Sequence, residues 1–239
     1  MKLTILMYHK IDEPSAGVRH PGNFVRPDRF AQQMDSLLDW GYRTIDFDDW
    51  LAFRDGRRPT LPDKPLIITF DDGYTCFDEH AWPVLKHRGM TGTVFLVAGH
   101  IGGTNAWEDD EVPMRLLNAD RILALQRDGV RFGSHGVTHR PLARIAADEA
   151  LDELRRSRSM LSDLLGHPVD VFAYPFSNQS RAVRALARRA GYRVAVRGKG
   201  RMNWPHTDPH GLRRIKVEPE TLVEDLRRTL YRERYLRLL

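Results

Sequence analysis

Short apolar runs alternate with amphipathic stretches along most of the chain, and the two periods predict two kinds of element. The runs Leu3–Tyr8, Arg43–Ile45, Leu66–Phe70, Thr93–Ala98, Val130–Gly133, Val169–Ala173, Arg193–Val196 and Arg214–Val217 have the length of buried strands. Helices are expected between them. Pro27-Asp28 opens one, with Phe30, Met34, Leu37 and Leu38 on one face. His80–Arg88 stops at Gly89, Ala119–Arg127 at Gly129, Asp148–Leu165 at Gly166 and Ser180–Ala190 at Gly191. Glycine tolerates the left-handed backbone that ends a helix, so each is a plausible stop. Leu151, Leu154, Leu161 and Leu165 share one helix face. Asp46, Asp48 and Asp49 are read as the start of a helix through Trp50 and Leu51, and Pro219–Leu236 as the closing helix.

Strands alternating with helices imply a parallel sheet covered by helices. Some eight strands in 239 residues suggest an α/β fold, a small irregular (β/α) barrel, with a doubly wound sheet as the alternative. No repeat, low-complexity segment or linker divides the chain, so residues 1–239 are expected to form a single domain. In either architecture, chemistry is expected from polar residues just beyond the C-terminal ends of strands.

Composition narrows the classes. At 41% hydrophobic the chain can bury a sizeable core, and its single cysteine, Cys76, excludes a disulfide framework and a Cys-rich zinc site. The apolar run Leu3 to Met7 is too short for a signal-peptide core, and no stretch is long enough for a membrane span. The expectation is a soluble, cytoplasmic chain with no transmembrane segment. The net charge of +5 is uneven: residues 181–239 carry +10 and the first 180 carry −5. Between Arg181 and Thr207 stand eight basic residues and no acidic one. This is either a solvated helix face with a basic loop, or a surface for an anionic partner such as a lipid-linked glycan precursor. The residues considered for the latter are Arg188, Arg189, Arg193, Arg197, Lys199 and Arg201. No nucleic-acid motif is present, so no nucleic-acid partner is expected.

Three strand ends carry the candidate chemistry. Leu66–Phe70 runs into Asp71-Asp72-Gly73. Two adjacent carboxylates repel, and burying them needs compensation that a cation supplies; a turn would explain the same residues. The second strand end reads Ser134-His135-Gly136-Val137-Thr138-His139. Histidines four apart can meet on one face of a helical turn and share a metal. A second such pair, His206 and His210, lies in a proline-broken loop, which favours the first. The third strand ends at Tyr174-Pro175-Phe176, where proline fixes the backbone and a backbone N–H could face a reacting oxygen.

Together, Thr-Phe-Asp-Asp-Gly, Ser-His-x-x-x-His and Tyr-Pro-Phe, each after a strand and in this order, resemble the polysaccharide deacetylases, the NodB-homology enzymes of carbohydrate esterase family 4. Ile5-Leu6-Met7-Tyr8-His9 and Gly41-Tyr42-Arg43-Thr44-Ile45 resemble the subgroup containing the poly-N-acetylglucosamine deacetylases. The resemblance covers most of residues 3–217. It implies a metal-dependent hydrolase that removes N-acetyl groups from a glycan or amino-sugar precursor and releases acetate. It assigns Asp71 as catalytic base and Asp72, His135 and His139 as ligands of one divalent ion, Zn²⁺ or else Co²⁺ or Ni²⁺. It assigns the Phe176 N–H to the oxyanion, and His9 as general acid in place of a late-motif histidine that this chain lacks. Two positions depart from the pattern. Ala173 stands where most members have an arginine that tethers the base, with Arg214 as the candidate substitute, and Gly136 stands where Ser or Thr is usual. Tyr174, Trp204 and Arg214 are the candidate sugar contacts, and Trp107 is a further aromatic that could stack on a ring. Other readings are an O-acetyl esterase or cyclic-amide hydrolase of the same fold, or a non-catalytic glycan-binding domain.

Overall fold

A computed structural model describes residues 2–108, 111–198, 200 and 202–235. The strands are β1 (Thr4–Tyr8), β2 (Lys10–Ile11), β3 (Phe24–Val25), β4 (Arg43–Thr44), β5 (Pro65–Phe70), β6 (Thr93–Leu96), β7 (Arg131–Ser134), β8 (Val171–Ala173), β9 (Val194–Arg197), β10 (Leu212–Arg213) and β11 (Ile215–Lys216). The helices are α1 (Pro27–Asp39), α2 (Phe47–Arg54), α3 (Trp82–His87), α4 (Ala119–Arg127), α5 (Ala147–Leu165), α6 (Arg181–Arg189) and α7 (Val223–Tyr235). A π-helical turn, Phe77–Ala81, leads into α3. The closing helix thus begins four residues later than Pro219, and Leu236 lies outside the described residues.

Nine strands form one parallel sheet in the order β10-β9-β8-β7-β6-β5-β1-β11, with β4 also paired to β5. The two ends of this path are one piece of chain. Leu212 and Arg213 pair with β9, Ile215 and Lys216 pair with β1, and Arg214 sits at the break between them. Its N–H donates to the Arg197 carbonyl at 2.9 Å, and the Val217 N–H donates to Met7 at 3.0 Å. The bent segment therefore brings both edges of the sheet together and makes the nearly closed barrel that the alternating pattern predicts.

Side chains alternate across this wall. Ile5, Ile67, Phe95, Val171, Val194 and Val196 fill the interior, while Leu6, Ile68, Leu96, Phe172 and Ala195 pack outward under the helices. Helix α2 adds Phe47, Trp50 and Leu51 to the inner cluster. It starts as the aspartates predicted: Asp46 accepts from the Asp49 N–H at 2.8 Å and Asp49 accepts in return from the Asp46 N–H, a capping box. On β1 and β5 the inward register continues past the wall to His9 and Asp71. The two residues are placed together because Tyr8 pairs with Phe70.

Candidate active site

The cleft at the C-terminal ends of the strands has a volume of about 690 Å³ and is lined by His9, Asp71, Asp72, His135, His139 and Phe176 among others. Asp71 and Asp72 leave β5 in opposite directions because Asp72 takes a left-handed backbone, φ 76°. Asp71 stays in the barrel mouth. Arg214 clamps it with two hydrogen bonds, Nη1 to Oδ1 at 2.6 Å and Nη2 to Oδ2 at 2.7 Å. The same Nη1 donates to Thr69 Oγ1 at 3.1 Å, and that hydroxyl donates to the Leu6 carbonyl at 2.7 Å. The guanidinium lies 5.4 Å from the Phe95 ring centroid. A forked guanidinium fixes a carboxylate in orientation as well as charge. Burial pushes the Asp71 carboxyl up, but Arg214, His135 and His9 together hold it below the usual carboxylate range. Arg214 is therefore a clamp on Asp71; it is 1% exposed and is no sugar contact.

Asp72 faces the other way, toward two imidazoles. Its Oδ1 lies 3.5 Å from His135 Nε2 and 3.3 Å from His139 Nε2, and the three ligand atoms lie within 4.8 Å of one another. Asp72 Oδ1 is buried with no hydrogen-bond donor. His135 Nδ1 lies 2.7 Å from the Ala173 carbonyl, which fixes that nitrogen as the donor and leaves Nε2 a lone pair. A carboxylate oxygen and the His135 lone pair converging on a buried point, with a second imidazole beside them, are an unfavourable arrangement without a cation. One carboxylate and two imidazoles also suit a borderline divalent ion and leave positions open for other ligands. The residues fit a metal. Burial, with His139 beside it, lowers His135 to about 4, so its imidazole is neutral and able to ligate at neutral pH. Burial raises the Asp72 carboxyl, and His139, His9 and His135 pull it down by more.

The histidines do not sit on a helical turn. Residues 135–139 form an irregular loop whose return is made by Gly136, φ 87°, and His139, φ 59°. The expected i, i+4 helical geometry is thus replaced by two left-handed residues. Phe176 and Ser177 are also left-handed, at φ 54° and 57°. Among the described residues, all four non-glycine positive-φ positions belong to this site, and such backbone costs of order 1–3 kcal/mol each. The Phe176 ring is 61% exposed, over His139 with centroids 4.6 Å apart.

His9 enters from β1. Its Nε2 lies 4.0 Å from Asp71 Oδ2. Burial lowers its pKa below 6.5; Asp71 and Asp72 oppose that shift, and Arg214 and Lys216 add to it. A protonated His9 is accordingly a stronger acid than free imidazole.

The remaining sequence candidates divide between the cleft and other parts of the molecule. Tyr174 lines the cleft, but its ring is on the outer face of the wall and its hydroxyl donates to the His210 carbonyl at 2.9 Å. Trp204 is at the opposite end of the barrel: its neighbour Asn203 pairs with Leu3, before β1, and Lys2 stacks on the indole at 4.7 Å. It cannot touch a sugar bound at the strand C-termini. Trp107 packs on His139, with centroids 4.8 Å apart. His210 turns its Nε2 to the Tyr192 carbonyl at 2.8 Å and His206 stacks on Trp204, so that pair shares no metal position. Within the basic stretch, Arg184 and Arg188 pair with Asp208, and Arg193 with Asp55 and Asp170, as solvated charges do. Lys199 and Arg201 lie outside the described residues.

Sequence reasoning missed Thr69, Glu153, Lys216 and the rim residues Asn23 and Glu108. Thr69 could have been found from the strand period, since it lies two residues before Asp71. Glu153 interrupts the apolar face of α5 between Ala150 and Leu154, which is a signal in itself.

A parallel barrel with an Asp-His-His cluster and a clamped carboxylate at its strand C-termini defines a class, the parallel barrels whose site lies at the mouth of the sheet. The family model for polysaccharide deacetylase matches residues 58–195, more than half of the chain. The chain belongs to the polysaccharide deacetylase family. It is 26% identical over 221 residues to YxkH of Bacillus subtilis (strain 168), a protein assigned to the polysaccharide deacetylases, covering 91% of this chain and 72% of that one. It is 19% identical over 213 residues to the poly-beta-1,6-N-acetyl-D-glucosamine N-deacetylase of Staphylococcus aureus (strain MRSA252), covering 85% of this chain and 71% of that one. Among solved structures, the Streptococcus pyogenes deacetylase PplD in complex with acetate superposes with a TM-score of 0.83 at 25% identity, over 96% of this chain and 98% of that one. No described helix is long and apolar enough to cross a membrane.

Proposed function

We propose that the chain is a metal-dependent N-deacetylase that hydrolyses acetamido groups on an N-acetylglucosamine-containing glycan, releasing acetate and leaving a free amine. The observation that carries this is the placement of two adjacent carboxylates in different roles: Asp71 locked by Arg214, and Asp72 unpartnered beside two imidazoles. The resemblance to the staphylococcal deacetylase supports the choice of sugar.

Asp72, His135 and His139 would hold the ion, Zn²⁺ or a similar divalent metal. Bound there, it supplies Lewis-acid polarisation of the acetyl carbonyl and a water of lowered pKa. Asp71 accepts the proton of the attacking water. The Arg214 fork holds one lone pair on each Asp71 oxygen and keeps the group ionised, so it starts as a base. On this reading the backbone N–H of Phe176 donates to the oxyanion, and its left-handed φ of 54° belongs to that preorganisation. His9, whose Nε2 lies 4.0 Å from Asp71 Oδ2, gives its proton to the departing nitrogen, without which an amine is a poor leaving group.

Purified protein with Zn²⁺ or Co²⁺ should release acetate from N-acetylglucosamine oligomers. Asp71→Asn should keep its metal and lose turnover, because it removes a base and no ligand. Asp72→Asn should weaken metal binding itself. Equal metal loss in the two variants would show that the carboxylate roles are divided wrongly, and absence of acetate release by metal-loaded wild type would overturn the activity.

A further inference from the structure

The loop that carries both candidate metal-binding histidines has no hydrogen-bond ladder of its own. A helical turn would satisfy its backbone internally; this loop, bent at Gly136 and His139, must satisfy it against neighbours. One neighbour is backbone. The Ala98 N–H donates to the Gly136 carbonyl and the Gly99 N–H to the Val137 carbonyl, both at 2.9 Å. A Cβ at Gly99 would stand 2.6 Å from that Val137 oxygen, so only glycine permits the approach. The others are side chains: Ser134 Oγ, which accepts from the Gly136 N–H at 3.3 Å, and Glu153. Glu153 Oε2 accepts from the Val137 N–H at 2.8 Å and the Thr138 N–H at 3.1 Å, while Oε1 accepts from Thr138 Oγ1 at 2.7 Å.

Glu153 is 7% exposed and sits on the buried face of α5 with Ala150, Leu154 and Ser157. Burying a carboxylate there is costly unless it is well hydrogen-bonded, and all three of these bonds go to one loop. The carboxylate also fills the space beside Gly136, where a Cβ would come within 3.1 Å of Oε2. It bonds to neither imidazole: His135 Nδ1 faces Ala173, and His139 Nδ1 has no partner.

We propose that Glu153 is a positioning residue for metal binding. It holds residues 136–138 against α5 so that both Nε2 atoms face Asp72 before the ion arrives. The inference rests on the metal-dependent reading above. Removing outer partners of metal ligands commonly lowers affinity by about 10–100-fold.

The test is titration of metal-free protein with Zn²⁺ by calorimetry, together with the visible spectrum of the Co²⁺-loaded protein at saturation. Glu153→Ala should bind about 10–100-fold more weakly, with a Co²⁺ spectrum shifted from wild type. Glu153→Gln keeps an acceptor for the two N–H groups and should fall between wild type and Glu153→Ala. Thr138→Val, which deletes one bond, should lose a few-fold, of order the effect of a single hydrogen bond. Thermal unfolding of the metal-free proteins shows which variants fold; if Glu153→Ala does not, Glu153→Gln and Thr138→Val decide on the same readings. Folded variants with unchanged affinity and an unchanged spectrum would overturn the role. Wild type that takes up neither metal would overturn the metal-dependent reading, and this role with it.

Discussion

At the N-terminal end of the strands, ion pairs surround the barrel and no non-glycine residue described there is left-handed; at the C-terminal end, a buried aspartate oxygen is unpartnered and four such residues are left-handed. Helix α2 plugs the first end with Phe47, Trp50 and Leu51, and its own capping box starts it. The charges around that plug meet partners: Arg131 with Asp46 at 2.8 Å, Arg158 with Asp170 at 3.1 Å and Arg193 with Asp55 at 2.8 Å. At the other end, Asp71 and Asp72 are buried side by side, an oxygen of Asp72 is unpartnered, and four non-glycine residues take left-handed backbone. One barrel thus separates stability from chemistry along its axis. The closed wall and plug supply a stiff frame, and the strained mouth is held by it. The separation predicts that substitutions at the two ends should move different observables.

The largest expected effect is at the mouth. His9→Ala should keep its metal and its fold, since His9 belongs to neither the ion cluster nor the core. It should lose on the order of 10²–10⁴ in amide turnover, the usual range for a positioned acid. The loss should be smaller on an activated acetyl ester, whose leaving group needs less protonation. Equal losses on amide and ester would contradict the acid role.

At the plug the expectation reverses. Trp50 is fully buried, stacked on Phe53 with centroids 6.1 Å apart. Trp50→Ala should cost about 3–5 kcal/mol of stability, as large-to-small core changes do. Its kcat/KM for acetate release, measured well below the unfolding temperature, should stay close to wild type. A parallel fall in kcat/KM would show that the two ends are mechanically coupled and that the comparison drawn above is too sharp.

How much of this was legible beforehand differs between the ends in the same way. The wall was legible because buried parallel strands are apolar runs bounded by turns, and the α2 start because Asp46 and Asp49 stand at capping spacing. The two-residue strands β2 and β3 carry no period and left no signal. At the mouth, Asp71-Asp72 and His135 stood out as polar residues directly after strands, and His139 by its spacing from His135. Their geometry did not: spacing alone suggested a helical histidine pair, and only the fold shows left-handed turns doing that job. Arg214 is named from the sequence as the candidate tether of Asp71, but its two-bond fork depends on closure of the barrel, which brings together residues 143 apart in sequence. Trp204 was misplaced because loop sequence does not say at which end of a barrel the loop lies.

The smallest predicted effect is a pH slope away from the mouth. His210 is buried at the entry to β9, with Nε2 on the Tyr192 carbonyl at 2.8 Å. The charged groups around it are Arg188, whose Nη2 is 3.4 Å from Nδ1, Asp208 at 3.8 Å, and Arg54. Burial lowers its pKa from 6.5; Arg188 and Arg54 push the same way, and Asp208 and the Tyr192 carbonyl oppose them. The sign follows from linkage. With the folded pKa below the unfolded value, the unfolded chain takes up the proton first as pH falls. The neutral, buried form therefore contributes its full stability above about 6.5, and that contribution is lost progressively below it, down to the folded pKa. The melting temperature of wild type should fall between pH 8 and pH 5.5 by more than that of His210→Gln, which cannot take up a proton. The comparison is between slopes, so a constant penalty for replacing the ring drops out, as do titrations common to both proteins. Parallel slopes would place the acid sensitivity elsewhere, and the carboxylates and imidazoles of the mouth would then carry it, concentrating pH response as well as strain at the end where the chemistry lies.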